Sequence, residues 1–197
     1  MQPVMAADLG QLNVERAEDG VYLSANIRFD LPSVVEDALL KGIPLFFVAE
    51  VNMYESRWYW TDKRVASAAR TIRLAYQPLT RVWRVSIVSG VVQGAGGLRA
   101  TLNQSHDRLI DAMSAVQRLT RWRVADNADL EPDTNYKMEF SYSLDLSQLP
   151  RPFQIGVVGQ KDWTITVQRT ERLQLSAFRS QADKSKSVPL ASKEAEK

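Results

Sequence analysis

"YKMEFSYSLDL", residues 136–146, decides the fold. Tyr136, Met138, Phe140, Tyr142, Leu144 and Leu146 alternate with Lys137, Glu139, Ser141, Ser143 and Asp145. Successive strand side chains point to opposite faces, so this period of two buries one face and wets the other. A helix would instead need apolar residues three and four apart. The stretch predicts an antiparallel strand lying on one side of a core.

The same pattern recurs upstream. Val21, Leu23, Ala25, Ile27 and Phe29 form the apolar set of a strand over 21–30. Residues 11–17 supply its hairpin partner and Glu18-Asp19-Gly20 the turn. Leu45 to Tyr54 is a further strand, with Phe47, Ala49, Val51 and Met53 on one face. Val65–Tyr76 and Arg81–Val88 read as two more, joined by "QPLT". Trp163, Ile165 and Val167 begin the last. "QLPRPFQ", residues 148–154, must be extended, because both prolines fix φ and restrict the residue before them.

Two helices interrupt the strands. In "LPSVVEDALLKG", residues 31–42, Ser33 and Glu36 have capping-box spacing and Gly42 suits the left-handed position past the end. Ser105 to Leu119 carries Leu109, Met113 and Val116 on one stripe, with Ser105 as its cap and His106 in its first turn. There is no strand–helix–strand alternation to imply a parallel sheet. The fold class is therefore mainly β: an antiparallel, immunoglobulin-like β-sandwich with two short α-helices. Residues 1–9 precede the domain, 10–175 form it, and 176–197 are a polar Ser/Lys/Ala/Glu tail with no apolar period, expected to be disordered.

Composition narrows the chemistry. The 197 residues carry a net charge of +2, too small a surplus for a dedicated nucleic-acid binder. There is no cysteine, which excludes thiol nucleophiles, disulfides, zinc fingers and iron–sulfur clusters. His106 is the single histidine, so zinc sites built from several His are excluded too. No cofactor is expected. No stretch approaches the roughly 18 apolar residues of a membrane span. Val4 and Ala6 in "VMAAD" stand at the −3 and −1 positions of a signal cleavage site, although no charged and apolar leader precedes them.

The remaining motifs read mostly as structure. "GVVQGAGG", residues 90–97, lacks the Lys-Ser/Thr of a phosphate loop and reads as a hairpin tip. "ADNADLEPDT", residues 125–134, hints at a calcium loop but lacks its glycine and distal glutamate, and reads as a solvated turn. Arginines beside aromatics, as in Arg121-Trp122-Arg123, read as cation–π pairs on sheets. "SRWYWTDK", residues 56–63, is different. In a strand Trp58 and Trp60 share one side and Tyr59 takes the other, so either a cover lies over both faces or one face is a partner surface. The candidate binding residues are Arg57, Trp58, Tyr59 and Trp60, with Arg81 and Trp83 as neighbours across strands.

Taken together, "EDALLKGIPLFFVAEVNMYESRWYWTDKRVA", "RTIRLAYQPLTRVWRVS", "RWRVAD" and "LDLSQLPRPFQIGVVGQKDWTI" occur in the order found in a family of proteobacterial proteins, domain of unknown function 4390. The chain resembles that family from about Leu12 to Val167. The resemblance implies export by a signal peptide, hence a periplasmic location. It also implies an envelope or membrane-protein partner, with a sensor histidine kinase, often encoded beside family members, as the named candidate. It carries over no catalytic residue. The expectation is a non-catalytic periplasmic protein–protein interaction module. The alternative is a β-sandwich holding a small lipid-like or sugar-like ligand between its sheets, and a weaker one is a carboxylate-based hydrolase.

Overall fold

The computed structural model describes residues 7–55, 62–89, 102–131, 134–151 and 163–174. Among them the elements run β1 (Asp8–Arg16), β2 (Gly20–Arg28), α1 (Ser33–Leu40), β3 (Leu45–Glu55), β4 (Lys63–Gln77), β5 (Val82–Ser89), β6 (Leu102–His106), α2 (Leu109–Val116), β7 (Arg118–Asp126), β8 (Asn135–Leu144) and β9 (Thr166–Gln174). The strands form two antiparallel sheets, a three-stranded one in the order β1-β2-β7 and a six-stranded one in the order β6-β5-β4-β3-β8-β9. The expected mainly β, antiparallel two-sheet architecture with two helices is thus the one the chain adopts.

β8 lies next to β3 in the wide sheet, with Phe47 opposite Leu144 and Val51 opposite Phe140. Its apolar set Tyr136, Met138, Phe140, Tyr142 and Leu144 is buried. That face meets Val21, Leu23, Ala25 and Ile27 of β2 in a single core. Phe29, Phe47 and Tyr142 cluster at one end, with ring centroids 5.5–6.1 Å apart. The buried Tyr142 hydroxyl donates to the carbonyl of Val116 at 3.0 Å, which satisfies both groups and ties the sheet to the end of α2.

α1 ends as the sequence predicts and begins otherwise. Gly42 has φ of +82°, its N–H donates to Leu39 O, and that of Ile43 donates to Ala38 O. These two bonds are a Schellman closure. At the other end no side chain caps the helix, because Pro32 holds the cap position and Ser33 is already the first helical residue.

α2 is shorter than expected, at eight residues. Ser105 and His106 do not start it. They pair with Arg84 and Trp83 in β6, where ladder bonds to β5 satisfy more backbone than a frayed helical turn would. At the far end Leu119 belongs to β7. Gln117 closes α2 and redirects the chain: its carbonyl accepts from Ile27 N–H at 2.9 Å, and its amide donates to Phe29 O at 2.6 Å.

β7 carries a bulge. Ala25 faces Leu119 and Leu23 faces Trp122, so three steps on β7 match two on β2. Arg121 takes φ of +40° in this bulge, and its N–H donates to Ser24 Oγ at 3.1 Å. β1 begins at Asp8, inside the segment expected to precede the domain.

Candidate functional site

The two sheets differ in width, and that difference builds the site. The three-stranded sheet covers part of the wide sheet's inner face, meeting it at β4 and β9. α2 covers β5 and β6. Between α2 and β7 the cover has a seam. A cleft of about 380 Å³ opens there, lined by Arg70, Ile87, Leu102, Gln104, Ser114, Ala115, Arg118 and Thr120.

Arg70 is its half-buried cation. It lies on the inward set of β4, sharing a face with the buried Ile72 and Leu74. Ala49 is directly opposite on β3, a small residue that leaves room for the arginine stem. The guanidinium sits 5.2 Å from the centroid of the Trp122 ring, across the gap between the sheets. The bulge at Arg121 is what turns Trp122 inward there. Among the described residues no carboxylate lies within ion-pair distance of Arg70, and its buried Nε has no hydrogen-bond acceptor. Burial lowers its pKa from the ordinary guanidinium value, yet arginine remains charged. A partly desolvated cation without an anion is costly, and the cost is recovered when an anion binds.

The rest of the cleft is graded. Arg118 is a second guanidinium at the mouth, also without an ion-pair partner among the described residues. Gln104 and Thr120 can donate hydrogen bonds. Ser114 has spent its proton on Ile110 O at 2.9 Å. Ile87, Leu102 and Ala115 make the apolar wall.

The residues singled out from the sequence fall elsewhere. Arg57, Trp58, Tyr59 and Trp60 lie outside the described residues, as does the glycine loop at 90–97. Arg81 is exposed at the β4–β5 turn, with φ of +56° and its N–H donating to Gln77 O. Trp83 is a core residue, 6% exposed, packed on Tyr76 at 4.6 Å between ring centroids. It offers no surface to a partner. His106 faces inward beside Trp83 and is half-buried, rather than lying exposed at a helix start.

In the acidic loop Asp126 and Asn127 are spent on structure. The Asn127 side-chain amide donates to Ala17 O and Glu18 O, its oxygen accepts from Arg16 Nε, and Asp126 pairs with Arg123 at 2.6 Å. Asp19, held below the usual carboxylate range by the Tyr22 hydroxyl that donates to it, is exposed on the β1–β2 turn.

Cation–π pairing on the sheets is present, as expected: Arg121 lies over Tyr22 at 5.0 Å and Arg70 over Trp122.

A family model described as Domain of unknown function (DUF4390) matches residues 5–173. Neither a curated protein nor a solved structure matches the chain. Among the described residues no helix is long and apolar enough to cross a membrane.

Proposed function

From the premise that the chain belongs to the DUF4390 family, we propose that it is a non-catalytic binding module whose ligand presents an anionic group to the cleft between α2 and β7. One observation carries this reading. Arg70 is a charged residue in the inward register of a core strand, without a counter-ion among the described residues. Core positions accept such a group at a cost in stability, and binding is the function that returns it. The bulge and the left-handed Arg121 beside the cleft support it further, since irregular backbone of this kind gathers at ligand sites. The charged groups here are arginines, which hold anions and do not exchange protons near neutral pH, so they suit recognition rather than acid–base catalysis. Placement in the cell envelope, from the cleavage-site reading of Val4 and Ala6, belongs to the same proposal.

The test is an amide and side-chain NMR titration of the full chain at low salt, using inorganic phosphate and short-chain carboxylates as separate probes. At least one anion moves the Arg70 Nε–H and the Thr120 amide, and Arg70→Gln abolishes the response. If no anion moves either resonance, the reading falls.

A further inference from the structure

The lining of the cleft says more than that an anion enters. We infer that its ligand is a carboxylate carried on an apolar body, with the carboxylate at Arg70 and the body against Ile87, Leu102 and Ala115. This rests on the anion-binding reading above and narrows it.

Three features select this chemistry. The first is the donor set. A planar guanidinium fork matches a planar carboxylate; Gln104 and Thr120 add neutral donors beside it, and the second guanidinium, Arg118, stands exposed at the mouth. The second is the helix end. α2 presents Ser114 and Ala115, from its last turn, to the cleft. A helix C-terminus carries partial negative charge, so a doubly charged phosphate is opposed there more strongly than a monoanion. Among the described residues no helix N-terminus lines the cleft to offer the backbone N–H groups that phosphate sites use. The third is the wall. Leu102 is 48% exposed on β6 and Ile87 is half-buried beside it. An aliphatic body lying on both removes apolar area from water.

A free aliphatic acid and the carboxyl-terminal residue of a polypeptide share this chemistry, and the experiment separates them. Calorimetric titrations of the full chain use acetate, butanoate, hexanoate, hexanamide, N-acetyl-leucine, N-acetyl-leucinamide and inorganic phosphate. Affinity rises about three- to fourfold for each methylene that reaches the wall, and both amides fail to bind. The tighter of hexanoate and N-acetyl-leucine names the source. Leu102→Asn, at a position 48% exposed and checked for folding by circular dichroism, flattens the chain-length series. Arg70→Gln, checked for folding by circular dichroism, loses every carboxylate. If phosphate or acetate binds as tightly as hexanoate, the cleft still holds an anion but this narrower inference is wrong. If no probe binds, both fall together.

Discussion

The Arg70 guanidinium lies over the Trp122 indole, 5.2 Å from its centroid, and this pair joins β4 of the wide sheet to β7 of the narrow one. Trp122 holds the cation from one side only. Arg70→Met keeps the stem and removes the desolvated charge, and is expected to stabilise the protein by about 1 kcal/mol. That corresponds to roughly 2–4 °C in Tm for a domain of this size. Anion binding is lost at the same time. Calorimetric melting with the titration above checks both halves; a destabilised Arg70→Met would mean the arginine is structural.

Trp122→Leu acts in the opposite direction. It removes the stacking partner of Arg70 and opens a void between the sheets. The expected cost is about 3 kcal/mol, read as a lower urea midpoint. Anion affinity also weakens, because the guanidinium is no longer held in place.

Tyr142 links pH to stability. Burial pushes its phenol well above the ordinary tyrosine range. Below about pH 10 it is neutral whether the chain is folded or not. Above that the unfolded chain releases its proton and the folded one does not, so stability falls as pH rises, by about 1.4 kcal/mol per unit for this one group. Tyr142→Phe removes the effect and leaves Val116 O unpaired, at a cost of about 1–2 kcal/mol at neutral pH. Urea unfolding at pH 7 and at pH 11 separates the two: the variant is weaker at pH 7 and loses less on going to pH 11.

Gly20 is fixed by close approach. A Cβ at this position would meet the carbonyl oxygen of Ala125 at 2.4 Å, a backbone atom held by strand pairing. Gly20→Ala is therefore expected to cost about 2 kcal/mol. Hydrogen exchange should show the loss concentrated where β2 meets β7.

Period-two strands were legible in the sequence where one face is buried, as β2 and β8 show in Leu23 and Phe140; β3 keeps the pattern only in its second half, around Val51, since Phe46 and Val48 bury its other face as well. β7 was not legible. Its bulge sets Leu119 and Trp122 three apart, a helical spacing that continues the stripe Met113, Val116 and so stretches the expected helix past its true end. Ser33 failed as a cap for a local reason, since Pro32 already occupies that place. Trp83, expected as a neighbour across strands of the aromatic stretch, is packed in the core instead. The signal for the cleft stood in "RTIRLAY", residues 70–76, where Arg70 shares its register with Ile72, Leu74 and Tyr76. Arg118 had no such signal, because only tertiary packing brings it to the same opening.

The strand order also sets a timetable for folding. β3, β4, β5 and β6 follow one another both in sequence and in space, so each can join its neighbour as soon as it exists. The first hairpin cannot finish so early. β2 waits for β7, roughly a hundred residues downstream, with Val21, Leu23 and Ile27 uncovered meanwhile. Late closure of the small sheet over a preformed meander makes for slow folding dominated by distant contacts. It also makes β7 the last piece of the small sheet to arrive, bringing Trp122 and with it the cleft.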